Sequence, residues 1–156
     1  MRPKLKVSFD DPEHGWVGLT INYGDLSLMV SASYTPSDSF LDLTNALWEL
    51  LHYEDEATVT WREEPAETEL RFSRSGEEVK LAIETFPDHG RDPRRAERVL
   101  DVSGQYVEIC LPFWRALRDL QGQFSSEELE ARWHRPWPWR EVDLLTAALK
   151  ETKDSL

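Results

Sequence analysis

The chain of 156 residues contains a single cysteine, Cys110. One thiol excludes an internal disulfide and any zinc site built from several cysteines. Long apolar runs are also missing, since none approaches the roughly 20 residues that a membrane-spanning helix needs. The first ten residues, MRPKLKVSFD, alternate in polarity instead of forming the apolar segment of a signal peptide. We therefore expect a cytoplasmic protein that has no contact with membranes.

Basic residues are outnumbered by acidic ones. Eighteen lysines and arginines stand against 30 aspartates and glutamates, which gives a net charge of −12 and a pI of about 4.7. Binding to a phosphate backbone depends on lysine and arginine, so the composition argues against nucleic acids and anionic membranes as partners. An acidic surface instead favours solubility and attracts basic proteins. We therefore expect any partner to be a basic protein.

The linear motifs of catalysis and cofactor binding are missing as well. The sequence has no G-x-S-x-G, no H-E-x-x-H and no glycine-rich phosphate loop. We predict no cofactor and no metal, and we favour a function that is not enzymatic. An enzyme stays open as an alternative, because paired carboxylates leave no linear signature.

Aromatic and aliphatic residues, in contrast, are plentiful. Hydrophobic residues make up 40% of the chain, and seven of its residues are tryptophan. Each tryptophan can bury a large apolar area, so the chain can build a substantial core. Its length suits one domain, and no linker or repeat divides it. We predict a single domain over residues 1–156.

The N-terminal half alternates in the manner of β-strands. Residues 4–9 form a first predicted strand, and residues 16–34 form a hairpin that turns at Gly24 and Asp25. The spacing of apolar residues then predicts an amphipathic helix over 36–53.

The start of this helix is predicted from its capping residues. Thr35 is the expected N-cap, and Pro36 is the expected first helical residue, where a missing N–H costs nothing.

Three more alternating segments follow the helix: EATVTWRE (56–63), ETELRFSR (67–74) and EEVKLAIETF (77–86). Residues 87–97 form a polar loop, and RVLDVS (98–103) is another strand. Runs of strands followed by runs of helices predict an α+β fold. We expect one antiparallel meander sheet of about six or seven strands, with one dry face covered by the helix after strand 3 and by the C-terminal helices.

The C-terminal third is predicted to be helical. Residues 106–111 are ambiguous and have the composition of a strand, whereas a helix is expected from Pro112 to Gly122. Ser125 and Glu128 form a capping box that predicts a short helix from about 126 to 133. A final helix follows over WREVDLLTAALKET.

The segment RWHRPWPWR, residues 132–140, has three tryptophans and two prolines in nine residues. One interpretation is a stacking platform for a ligand or a contact for a partner. The other, which we favour, is a rigid aromatic strap that joins two helices and closes one end of the core. If the segment makes external contacts, the candidate residues are Trp133, His134, Arg135, Trp137, Trp139 and Arg140.

Three polar clusters are further candidate sites. DDPEHG (10–15) offers oxygen and nitrogen ligands, but its spacing matches no known calcium loop. HYEDE (52–56) is explained by the end of a helix. PDHGRD (87–92) places a histidine beside an aspartate and lacks an identifiable third partner. Cys110 is expected to be a small buried residue and not a reactive thiolate.

The order SYTPSDSFLDLTNALWELL, then VTWREEPAETELRFSRSGEEVKLAIETFPD, then PFWRALRDL resembles a group of small bacterial proteins of uncharacterised function. The likeness covers roughly residues 16–120. It implies an α+β fold and a bacterial cytoplasmic setting, and it brings no catalytic residue. Small acidic α+β proteins of this general kind include immunity proteins that neutralise toxins.

Our leading hypothesis is therefore a non-enzymatic interaction domain that binds a basic partner, in the manner of an immunity protein. Its contacts would be the aromatic hot spot at 132–140 and acids on the wet face of the sheet. The alternative is a small-molecule-binding protein or an unrecognised enzyme with its site near the same segment. A homodimer formed through exposed tryptophans is a third hypothesis.

Overall fold

The computed structural model describes residues 2–154 and shows an α+β fold with two antiparallel sheets. A single 3₁₀ turn, Pro93–Arg95, precedes the last strand. The strands are β1 Lys6–Phe9, β2 Trp16–Tyr23, β3 Leu26–Ser33, β4 Glu56–Arg62, β5 Glu67–Ser75, β6 Glu78–Phe86 and β7 Glu97–Gly104. The helices are α1 Ser39–Leu51, α2 Tyr106–Ile109, α3 Leu111–Gln123, α4 Ser126–Trp133 and α5 Trp139–Asp154.

The strands divide into a three-stranded sheet, β1-β2-β3, and a four-stranded sheet, β4-β5-β6-β7. The prediction of one continuous meander is therefore wrong. Within each sheet, neighbours in sequence pair as antiparallel strands. Between β3 and β4 the chain instead runs through α1, and these strands lie near each other without a ladder of backbone hydrogen bonds. A helical connection does not enforce pairing as a hairpin turn does.

Helix α1 begins at Ser39 and ends at Leu51, so the predicted bounds of 36–53 are too wide. Asp38 is the N-cap, and its side chain accepts a hydrogen bond from the backbone N–H of Leu41 at 3.2 Å. The predicted cap at Thr35 is wrong, because the carboxylate of Asp38 takes that role closer to the first apolar turn. Thr35 and Pro36 belong to the connection that precedes the helix.

The core lies between the inner faces of the sheets and the helices. Alternation in β4 buries Val59 and Trp61, and the neighbouring strands bury their apolar residues on the same face. Helix α1 covers this face with a stripe of four fully buried side chains: Phe40, Leu43, Leu47 and Leu50. Each such side chain contributes roughly 1.5–3 kcal/mol through burial.

Residues 106–111 do not form a strand. Tyr106 and Ile109, three residues apart, are both buried, which is the spacing of a helix and not of a strand. Gln105 and Glu108 form a capping box that starts this short helix, α2. The capping box at Ser125, predicted from the sequence, is confirmed, and it begins α4 at Ser126.

Candidate functional site

The segment 132–140 directs two of its three tryptophans inward. Trp133 and Trp137 are buried, and the ring centroid of each lies 4.9 Å from that of Phe40. Their indole N–H groups are satisfied internally, since Trp133 donates to Asp38 at 3.2 Å and Trp137 to Gln121 at 2.8 Å. The structure therefore supports the interpretation of an aromatic strap for these two rings.

Two arginines of the segment also bond to other parts of the protein. Arg135 donates to the backbone carbonyls of Tyr34 and Pro36. Arg132 donates to the carbonyl of Pro12 at 3.2 Å and lies 4.5 Å above the ring of Phe124. Such bonds fasten the strap to the loops before β2 and α1.

The remaining members of the segment are less enclosed. Trp139 is half-buried, and its indole Nε1 is buried without a hydrogen-bond partner among the described residues. His134 and Arg140 are exposed. External contact through this segment therefore stays a prediction for its outward residues, while Trp133, Arg135 and Trp137 already have internal partners.

The three polar clusters have different fates. In DDPEHG, Asp10 accepts a hydrogen bond from the backbone of Gly18 at 2.6 Å. Across residues 2–154, no three histidine, cysteine, aspartate or glutamate side chains come together as metal ligands.

Cys110 is fully buried, and burial raises the pKa of its thiol. A thiol held in its neutral form is a poor nucleophile.

The histidine of PDHGRD contacts a carboxylate that the sequence did not identify. The Nδ1 atom of His89 lies 2.7 Å from Glu67 on β5, which is almost fully buried. Arg62 and Arg91 each donate to the same carboxylate, also at 2.7 Å. Burial by itself would raise the pKa of Glu67, but the bonds from His89 and Arg91 and the charge of Arg62 hold it below its usual range.

These contacts hold the loop between β6 and β7, residues 87–96, over the outer face of the second sheet. Arg91 also reaches Glu69 at 3.2 Å and Thr60 at 3.0 Å, so its guanidinium is bonded to three side chains. The acids and cations of the cluster are thus paired with one another. We assign the Glu67 cluster to the stability of the fold, since its charges face internal partners.

A different group of aromatic rings reaches the surface at the end of α1. Trp48 and Tyr53 are 37% and 58% exposed. His52 packs on Trp48 with ring centroids 4.2 Å apart, and its Nδ1 atom lies 2.8 Å from the Trp48 carbonyl oxygen. Trp48 and His52 are one turn apart, so both rings lie on the same side of the helix.

Tyr53 has a backbone conformation that glycine usually provides. Helix α1 ends in a Schellman motif, in which Glu54 donates to the carbonyl of Glu49 and Tyr53 to that of Leu50. Tyr53 is the residue after the C-cap, and its φ of +66° lies in the left-handed region. A side chain there costs on the order of 1–2 kcal/mol relative to the right-handed form.

The ring of Tyr53 is fixed from below by Arg74, which is 8% exposed. The guanidinium carbon lies 3.8 Å from the ring centroid, and the tyrosine hydroxyl donates to Glu77 at 2.9 Å. Arg74 itself donates to the carbonyls of Leu50 and Gly76. One ring face is therefore held against a buried cation, while much of the side chain meets solvent.

Carboxylates surround these rings. Four exposed acids lie before and after the end of α1, and within the described residues none has a basic side chain in ion-pair distance: Glu49, Glu54, Asp55 and Glu56. The Tyr53–Glu77 bond brings the β5–β6 turn to the same place. We call this set of rings and acids, residues 48–56 with Glu77, the aromatic–acidic surface.

Sequence reasoning missed this surface because it treated HYEDE only as a helix end. The signal available was a bulky aromatic residue at the position where a helix normally ends in glycine.

No helix within residues 2–154 is long and apolar enough to span a bilayer. No protein-family model, no curated protein and no solved structure matches the chain.

Proposed function

We propose that the protein is a non-enzymatic interaction domain that binds a basic protein through its aromatic–acidic surface. The observation that carries this proposal is the exposed ring of Tyr53 at a left-handed position. Backbone strain of this kind persists where surrounding structure enforces it and is concentrated at functional positions.

The composition of the surface supports binding to a protein. Tryptophan and tyrosine are enriched among the residues that dominate binding energy at interfaces, and they act best where the ring is already held in place. Tyr53 meets this condition, because Arg74 and Glu77 fix its orientation before any partner arrives. The partner would therefore lose little entropy in ordering this ring.

The charge of the surface indicates the sign of the partner. Four carboxylates without a basic neighbour can pair with lysines and arginines, which raises the association rate at low salt. Two copies meeting through the same surface would place carboxylates against carboxylates. The charge thus favours a basic protein over a second copy of this chain.

The proposal is tested by site-specific crosslinking in an extract of the source cells. A photoreactive benzophenone amino acid in place of Tyr53 is expected to capture a protein of pI above 7, whereas the same group in place of exposed Glu127 on α4 captures none. Affinity for the captured protein is then measured for the wild type and for Trp48→Ala. We expect at least a 30-fold loss, on the order of a hot-spot residue.

Three results would overturn the proposal: no capture at position 53, capture of an acidic protein, or equal affinity for the wild type and Trp48→Ala. Salt adds an independent readout, because association with a basic partner should slow as ionic strength rises. An association rate that does not respond to salt would contradict the electrostatic part of the argument.

A further inference from the structure

A small cleft of about 240 Å³ lies between the N-terminal segment, the end of β7 and helices α2 and α3. Its floor is apolar, with Leu5 and Ile109 buried and Pro112 beside them. Val107, which is 54% exposed, adds apolar surface to the wall. The cleft is distinct from both the strap and the aromatic–acidic surface.

The rim of the cleft reverses the charge balance of the chain. It carries three cations, Arg2, Lys4 and Arg115, against one carboxylate, Glu108. That carboxylate is already engaged, because it accepts from the backbone N–H of Gln105 at 2.9 Å and lies 3.7 Å from Arg2. The rim of the cleft therefore has a local excess of positive charge, although the protein as a whole is acidic.

Three donors on this rim have no acceptor among residues 2–154. Within the described residues, the Lys4 ammonium, the Arg115 guanidinium and the Tyr23 hydroxyl make no hydrogen bond or ion pair. Elsewhere arginines find carboxylates readily, as Arg62, Arg91 and others do. Unpaired donors beside an apolar floor suit a ligand that brings both an anionic group and an apolar body.

We propose that this cleft binds a small organic carboxylate, with its anionic group between Lys4 and Arg115 and its apolar body against Val107 and Pro112. The volume is below the roughly 300–1,000 Å³ typical of sites for drug-sized ligands. The ligand is therefore a single-ring or short-chain acid. This inference is independent of the proposed protein partner, since the two surfaces share no residue.

The test is an NMR titration of the full chain, observed through backbone amides, with phenylacetate as the probe. We expect a Kd on the order of 1 mM, with shifts at Tyr23, Val107 and Ile109. Phenylacetamide has the same apolar body without the charge and should bind at least 10-fold more weakly. Inorganic phosphate has the charge without the apolar body and should also bind at least 10-fold more weakly.

The variants separate the cleft from general charge effects. Lys4→Gln with Arg115→Gln should weaken phenylacetate binding at least 10-fold, and Val107→Asp should do the same. Arg118→Gln with Arg140→Gln is the control matched for charge, because both arginines are exposed and lie outside the cleft, Arg118 beside Trp114 and Thr146. All of these side chains are exposed, so the melting temperatures should stay close to that of the wild type.

Several outcomes overturn the inference. These are no shift at the cleft residues, equal binding of phenylacetamide or phosphate, and unchanged binding by the double variant or Val107→Asp. A loss of binding in Arg118→Gln with Arg140→Gln as large as that of Lys4→Gln with Arg115→Gln would show only a response to total charge. None of these results bears on the crosslinking at Tyr53.

Discussion

The strap at 132–140 and the aromatic–acidic surface are both rich in aromatic rings, yet they use them in opposite ways. Trp133 and Trp137 pack against Phe40 at steep interplanar angles of 73° and 56°, and their N–H groups are bonded to internal acceptors. Trp48 and Tyr53 keep large parts of their side chains in solvent. Aromatic density in a sequence therefore does not show whether the rings face the core or the solvent. The two regions differ in how far the rest of the protein covers each ring and satisfies its polar group.

Arginine shows the same contrast. In the strap, Arg135 turns toward backbone carbonyls of a neighbouring loop. Beneath the surface, buried Arg74 bonds backbone carbonyls as well, but it also presents its guanidinium to the ring of Tyr53. The first arginine closes the core, whereas the second supports a ring that faces outward.

The largest expected effect breaks the strap. Trp133→Ala should lower the free energy of unfolding by about 3–5 kcal/mol, because it leaves a cavity beside Phe40 and removes one of the two hydrogen bonds that Asp38 accepts. Trp48→Ala should cost about 1 kcal/mol or less, as expected for an exposed ring. Urea denaturation of both variants measures the difference, and similar losses would contradict the contrast between the two regions.

Arginines of the strap sharpen the comparison further. Arg135→Ala should cost about 1–3 kcal/mol, because the carbonyls of Tyr34 and Pro36 lose their charged donor. Arg140→Ala should change stability by about 0.5 kcal/mol or less, since Arg140 is exposed. Thermal unfolding of the pair provides the measurement. Equal shifts would mean that Arg135 does not anchor the strap.

Tyr53→Gly tests whether the tyrosine serves the fold. Relief of the left-handed strain should gain about 1 kcal/mol. Loss of the Arg74 contact should cost a similar amount. The net change in stability should therefore stay within about 1 kcal/mol, while affinity for a partner falls. Tyr53→Ala keeps the strain without the ring and should be less stable than Tyr53→Gly. The reverse order would show that strain is not relieved.

The smallest effect concerns Asp42, on the first turn of α1 near the strap. Burial, followed by the charge of Asp38, raises the pKa of Asp42, with Arg135 acting in the opposite direction. The native state therefore binds the proton more tightly than the unfolded state. Stability falls as pH rises from the ordinary pKa of 3.8 through the raised pKa of Asp42. Asp42→Asn should stabilise the protein at pH 7 by about 0.5 kcal/mol or less. The gain should vanish below the ordinary pKa of 3.8, and a gain that persists at lower pH would contradict this assignment.

Local signals predicted much of the fold. Alternation located β4, and the Ser125–Glu128 capping box located the start of α4, because these patterns depend on neighbours in sequence. The division of the sheet was not predictable in this way, since pairing between β3 and β4 depends on how α1 packs. The start of α1 was predicted at Thr35 and is capped instead by Asp38, which has a further bond to Trp133 that no local pattern shows.

Candidate sites were harder to predict for the same reason. The His89–Glu67 contact joins residues 22 positions apart, so the sequence showed the histidine without its partner. The cleft brings Lys4 to Arg115 by folding, and neither residue stands out in the sequence. The aromatic–acidic surface did have a local signal, namely Tyr53 in place of a helix-ending glycine.

The late position of the strap in the chain bears on how the protein is made. Phe40 receives two of its aromatic neighbours from Trp133 and Trp137, which leave the ribosome some 95 residues later. At roughly 5–20 residues per second, this interval is on the order of 5–20 s. During that time the nascent N-terminal core has an uncovered aromatic side chain. Helix α1 is therefore fully covered only after α4 and the segment that follows it have been synthesised. A ribosome that stalls before that point would expose apolar core residues to chaperones.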